Sequence, residues 1–288
     1  MSNKDLLDNI KKLREMTGVG FKDCKAALDE SKGDIEKSVE FLRKKGIAKA
    51  SKKMSRTASE GLALVKEQEG QISLIEVNCE TDFVAKNLDF INFCKELSDI
   101  NFLTKGDLKK IEDRKMKNGI TVKDNLINLI AKIGEKITIR RANFFDKSKG
   151  DNFCYVHSAI EKGIGKIIAV VKLEGISKEK KDNLGTKIAM HIAASNPLAI
   201  DQESIDKDLV DKELDIIKAE ITNSGKPLEM AEKISKGKLS KFLNDNSLLN
   251  QIWIMDPKKT VSDILKENSE QKQLKIIDFI RYKVGEGI

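Results

Sequence analysis

The apolar positions keep a helical period at the start of the chain and then switch. In SNKDLLDNIKKLREMTG, Leu6, Ile10, Leu13 and Met16 recur at helical spacing, with Ser2 or Asn3 as cap and Gly18 as stop. FKDCKAALDESKG sets Phe21, Cys24 and Leu28 on one face and stops at Gly33. Asp34 can cap a third helix, whose Ile35, Val39 and Leu42 face inward before Gly46. Three helices this short bury only a modest core. The Gly-Val-Gly-Phe turn between the first two is too tight to hide Phe21. Seven basic residues then lie between Arg43 and Arg56 with no acidic one among them. They read as a solvated linker or helix extension, or as an electrostatic contact with an acidic partner.

From Gly61 the period becomes two. GLALVKE and QISLIEVNC flank Glu69-Gly70-Gln71, the pattern of a β-hairpin. The second of these strands is apolar on both faces, which predicts a central place in a sheet. The chain breaks at Thr81-Asp82, yet the next residues, Phe83 and Val84, are large and apolar. Helical stripes follow in NLDFINFCKELSDI and in Val122 to Ile133, the latter stopped by Gly134, before KITIRRANFF returns as a strand. A second unit repeats this outline. FCYVHSA and GKIIAVVKLEG are strands, KDNLGTKIAMHIAASNP is a helix ended by Asn196-Pro197, and NQIWIMD, VSDILKEN and LKIIDFIRYKV add a strand-like segment, a helix and a strand. Between them Val210, Leu214, Ile217 and Ile221 are spaced 4, 3, 4, a coiled-coil seam. Asn223 to Pro227 make the bend, and Met230, Ile234, Leu239 and Phe242 line the return helix. Two helices with so thin an apolar stripe form an arm inserted in the second unit. The expected class is α+β: a three-helix head, two α+β core subdomains with small antiparallel sheets, and an inserted antiparallel helical hairpin. The expected boundaries are 1–54 for the head, 55–145 for the first core subdomain, 146–200 with 244–288 for the second, and 201–243 for the hairpin.

Composition narrows the functional classes. Hydrophobic residues make up 40% and charged ones 34% of the chain, as in a globular protein with a highly charged surface. No apolar run is long enough to span a membrane and the N-terminus has no apolar signal region, so a cytoplasmic location is expected. The net charge of +7 raises nucleic acid as a partner, but the charge is dispersed and Tyr and Trp are few. Cys24, Cys79, Cys94 and Cys154 form no C-x-x-C pair and read as buried free thiols. The two histidines, His157 and His191, build no zinc site of usual spacing with them. No glycine-rich phosphate cradle is present, so no cofactor and no direct nucleotide binding are expected.

Taken together, LREMTGVGFKDCKAALDESKGDIEKSVEFLRKKG, EVNCETDFVAKN, MHIAASNP, SGKPLEMAEKISKGKLSKF, MDPKKTV and FIRYKVGEG occur in an order that resembles the translation elongation factor Ts family over nearly the whole chain. The resemblance implies a ubiquitin-associated-like head. It also implies guanine-nucleotide exchange on elongation factor Tu, engaged in its GDP-bound and nucleotide-free forms, with no covalent chemistry and hence no enzyme in the usual sense. A homodimer or a 2:2 complex is among the assemblies it implies. By the resemblance, Thr81, Asp82, Phe83 and Val84 act on the magnesium-binding region of the partner, and His157 approaches its phosphate-binding loop. Arg14, Phe21 and Lys22 match head positions that touch the nucleotide-binding domain. The loop after His157 is longer than the family's usual glycine-rich link. Members often carry a further helical module past the VGEGI segment, so the resemblance implies here either a weaker hold on the partner or one that uses fewer contacts.

Other readings of the same residues stay open at this point. Thr81 or Asp82 can simply cap a helix while Phe83 packs into the core. His157 can be a partly buried strand-end residue, and His191, flanked by alanines, reads as core. The basic stretch and hairpin suit an RNA-binding protein. A Cys154–His157 catalytic pair would need a bulge, because residues three apart on a strand face opposite sides.

Overall fold

The computed structural model describes residues 3–17, 19–177, 181–223, 228–270 and 272–288. Ser2, Gly18 and the bend at 224–227 lie outside them.

The head consists of α1 (Asn3–Thr17), α2 (Phe21–Glu30) and α3 (Ile35–Ser51). Ile10, Leu13, Cys24, Ala27, Leu28 and Leu42 form its small core. Asp34 caps α3 by accepting from the Lys37 N–H. The third helix does not stop before Gly46. It continues to Ser51, because Gly46 is a packing site: a Cβ there would sit 3.4 Å from Ile127 of the helix α3 packs against. Ala50 at its end joins the core of the next unit. Much of the basic stretch is therefore helix, and five of its seven charges face carboxylates. Lys45 and Lys49 both reach Asp23 at 3.0 Å, Lys44 reaches Glu40, Arg43 reaches Asp124 and Arg56 reaches Glu80.

Next come β1 (Glu60–Gln68) and β2 (Gln71–Cys79), paired antiparallel through a turn with Glu69 and Gly70 both at positive φ. Two successive left-handed residues give the turn the twist a tight hairpin needs. The chain then runs through α4 (Asp82–Ala85), α5 (Leu88–Thr104), α6 (Leu108–Asp113), α7 (Val122–Ile133) and β3 (Ile137–Phe145). Thr121 caps α7, and Gly134 ends it in the left-handed conformation. After β4 (Asp151–His157), a two-residue β5 (Ile164–Gly165) crosses to β1 before β6 (Ile167–Glu174) returns. The order is β3-β2-β1-β5 in one sheet and β4-β6-β7 in the other, with β7 at Lys275–Lys283, and every pairing is antiparallel.

The two sheets pack face to face. Ala63, Ile72, Leu74 and Phe145 meet Ile168, Val170 and Tyr282. On the outer face of the first sheet, Leu64, Ile75 and Val77 pack on α5 and α7 through Phe90, Leu97 and Leu129. On the outer face of the second, Ala169, Val171 and Leu173 pack on α8 (Lys181–Ser195) and α11 (Val261–Asn268). This helix–sheet–sheet–helix layering explains why β2 is apolar on both faces.

The helical hairpin is α9 (Lys207–Asn223) and α10 (Leu228–Asn246), which pack chiefly on each other. Ile217 and Ile221 are buried in the seam, whereas Val210, Leu214, Ile234 and Leu239 are only half-buried. The expected strand at NQIWIMD is absent. That segment is a set of tight turns with one bridge, Ile252 to Thr260. Its alternation has another cause: Trp253 is buried against His191, while Ile252 and Ile254 on either side point to solvent.

Candidate functional site

The TDFV corner is a single helical turn held at both ends. The Thr81 hydroxyl accepts from the Val84 N–H and so caps α4. Asn87 caps α5 by accepting from the N–H groups of Asp89 and Phe90. A long-range clamp is added to these caps. Glu135, just before β3, accepts from the Thr81 N–H at 3.0 Å and from its hydroxyl at 2.8 Å. Glu80 accepts from the Lys136 N–H at 2.6 Å and pairs with Arg56.

The four residues of the corner then divide by role. Val84 is 7% exposed and belongs to the core. Phe83 is 80% exposed, more than any other large apolar side chain among the described residues. The core-packing reading of Phe83 is thus overturned, while its capping half holds for Thr81. Asp82 is paired with Lys86 at 2.7 Å, and the hydrogen bond from that lysine keeps its carboxyl below the ordinary range. The next most exposed apolar residue, Leu88 at 75%, opens α5 beside the corner.

His157 is the exposed last residue of β4, pairing with Ile167. Its Nδ1 lies 3.2 Å from the Tyr155 hydroxyl. Lys166, next to Ile167, bridges to Glu60 at 2.6 Å, and its charge helps lower the Asp82 carboxyl. The end of β4 and the TDFV corner therefore lie at the same end of the double sheet. Arg14, in the last turn of α1, and Phe21 and Lys22, in the first turn of α2, are all exposed. They form a separate group on the head. Phe21 is 47% exposed because its turn leaves it outside the head core.

Two partners escaped the sequence. Glu135 is 54 residues from Thr81, and no local pattern links them. Tyr155 was within reach, since residues two apart on a strand share a face.

The remaining chemistry-bearing groups are structural. His191 is fully buried, stacks on Trp253 with centroids 5.2 Å apart, and bonds to Gln251. Burial holds it below the usual imidazole range despite that bond. Burial pushes Cys79 up to about 12 and Cys154 up to about 11, so neither thiol is a nucleophile near neutrality. Cys154 faces the other sheet, while Tyr155, next to it, packs toward α8. Cys154 and His157 thus make no pair. Among the described residues, no group of three or more potential metal ligands exists, and no helix is long and apolar enough to cross a membrane.

A family model described as "Elongation factor TS" matches residues 80–286, beginning at the corner itself. The chain belongs to the elongation factor Ts family. It is 43% identical over 284 residues to Elongation factor Ts of Methylobacterium sp. (strain 4-46), covering 97% of this chain and 92% of that one. It is 41% identical over 285 residues to Elongation factor Ts of Rickettsia prowazekii (strain Madrid E), covering 97% and 91%. It is also 41% identical over 288 residues to Elongation factor Ts of Clostridium kluyveri (strain ATCC 8527 / DSM 555 / NBRC 12016 / NCIMB 10680 / K1), covering 97% and 92%.

Proposed function

We propose that this chain is the guanine-nucleotide exchange factor of elongation factor Tu and acts in the cytoplasm. The observation that carries the reading is Phe83: a nearly bare aromatic on a turn locked by two caps and a remote carboxylate. Folding gains almost nothing from such a side chain, whereas a partner's pocket gains a rigid anchor.

Exchange is a matter of coupling. If the factor weakens GDP on its partner, GDP weakens the factor by the same ratio. The factor must therefore make contacts that only the nucleotide-free geometry accepts. In this proposal Phe83 wedges into the partner next to its magnesium site, with Val84 anchoring the turn from below. Thr81 holds the corner's angle. Asp82 presents a negative charge to carboxylates and phosphates that already crowd a metal ion. His157 approaches from the same end of the double sheet toward the phosphate loop. Arg14, Phe21 and Lys22 grip the nucleotide-binding domain from the head, and the hairpin serves as an interaction arm. The division at 1–54, 55–145, 146–200 with 244–288, and 201–243 belongs to the same proposal, supported by separate apolar clusters in the head, on α5 and α7, and on α8. A homodimer or 2:2 complex with Tu is the proposed larger assembly. The RNA-binding alternative has less support, because five of the seven basic residues from Arg43 to Arg56 already face carboxylates of this chain.

The test is release of fluorescent GDP from the cognate elongation factor Tu, followed by stopped flow as this protein is added. Release that accelerates and saturates supports the proposal. An unchanged rate despite binding, or no binding, refutes it.

A further inference from the structure

We infer that Tyr155 is a positioning residue: its phenol fixes the imidazole of His157 so that Nε2 faces outward to the partner. The inference rests on the reading of His157 given above.

Alternation along β4 puts Phe153, Tyr155 and His157 on one face. Phe153 and Tyr155 pack against the cluster beneath α8. The helix comes very close there: a Cβ on Gly185 would lie 2.1 Å from Cγ of Phe153. The body of the Tyr155 ring is thus held by core, and its hydroxyl projects toward the strand end. There it meets Nδ1 of His157 at 3.2 Å. The two rings are 6.1 Å apart between centroids and tilted by 42°, so they do not stack. The contact that fixes the imidazole is the hydrogen bond.

His157 otherwise has little to hold it. It is exposed, and Ser158 immediately turns the chain away with φ of 53°. A phenol donating to Nδ1 selects the tautomer with its proton on Nε2. The imidazole then offers one donor in one direction. A ring ordered before encounter spares the entropy of ordering it on the partner, which amounts to roughly three- to tenfold in rate or affinity. The strand end lies beside the Phe83 corner through Lys166 and Glu60, so a fixed ring and a fixed wedge are presented together.

The experiment uses the full chain and elongation factor Tu loaded with fluorescent GDP. Tyr155→Phe, His157→Ala and the double variant are compared in release rate. Long-range proton–nitrogen NMR reads the imidazole nitrogens of the two histidines, with buried His191 as internal reference. Tyr155→Phe is expected to slow release about three- to tenfold, to leave the melting temperature unchanged, and to shift Nδ1 of His157 but not of His191. The double variant is expected to be no slower than His157→Ala. If Tyr155→Phe slows release equally in the His157→Ala background, Tyr155 acts on its own and the inference fails. An unmoved Nδ1 signal also overturns it. If His157→Ala releases GDP at the wild-type rate, the reading of His157 falls and this inference with it. The exchange activity carried by Phe83 persists in that case, so the failure is distinguishable from loss of the exchange role.

Discussion

At the residue scale, Phe83 and Val84 are neighbours in sequence and opposites in energetics. Phe83 touches solvent and Val84 touches core. Phe83→Ala should slow GDP release from elongation factor Tu about 30-fold, the loss of one buried aromatic anchor of about 2 kcal/mol. It should move the melting temperature by no more than about 2 °C, as exposed substitutions usually do. Val84→Ala should act first on folding, costing roughly 1–3 kcal/mol of stability through a cavity under the corner. Stopped-flow release and thermal melts on both variants check the pair. A Phe83→Ala protein that melts far lower, with exchange intact, would sink the anchor reading. The corner was legible in the sequence because a cap residue, an acid and an unexplained phenylalanine sit together at Thr81–Phe83. The clamp from Glu135 was not, because a carboxylate placed by the start of a remote strand leaves no local mark.

At the scale of elements, local signals and packing signals separate cleanly. The bounds of α7 and the β1–β2 hairpin could be read ahead, since Thr121, Gly134 and the Glu69-Gly70 turn act on their own backbone. Gly46 and the NQIWIMD segment misled, because what decides them lies elsewhere: α7 for the glycine, His191 for Trp253. Two helical glycines make this difference measurable. At Gly46 an added Cβ meets Ile127 at 3.4 Å and Ala131 at 3.8 Å, ordinary contact distances. Gly46→Ala should therefore raise stability by up to about 1 kcal/mol through helix propensity alone. At Gly185 the added Cβ would lie 2.1 Å from the Phe153 ring. Gly185→Ala should lower stability by roughly 1–3 kcal/mol, since α8 or β4 must shift. Urea unfolding of the two variants should thus move the midpoint in opposite directions. Two stabilised variants would mean that propensity sets both positions, and two destabilised ones that close approach does.

For the whole molecule, one buried charge ties the layers together. Glu76 of β2 is fully buried between the sheets. The register slips from Glu76 opposite Arg141 to Val77 opposite Ile139, leaving Arg140 as the extra residue of a bulge. Two successive arginines can therefore reach one carboxylate, at 3.1 Å and 2.6 Å. The Gly285 N–H and the Asn78 amide complete its shell, and Arg141 also lies over the Tyr282 ring. Arg140 and Arg141 donate on to the backbone at Glu286 and Lys283, so the last turn of the chain is fastened to the first sheet. Burial pushes the Glu76 carboxyl up, but the bonds from Gly285, Asn78 and Arg141 together outweigh it and hold the group below its ordinary value. A carboxyl lowered in the folded state binds fewer protons there than in the unfolded chain. Its contribution is therefore present above the ordinary value of about 4.3 and is lost as pH falls through the folded-state value. Glu76→Gln should cost about 3 kcal/mol near neutral pH, because two arginines lose their counter-charge. The gap between wild type and variant should then narrow as pH falls below the ordinary carboxyl value of about 4.3 and close only below the lowered folded-state value, where the wild-type carboxyl is itself protonated. Melting curves of both proteins from neutral to acid pH decide it. A gap that stays constant with pH would mean that the knot is held by shape and hydrogen bonds, not by charge.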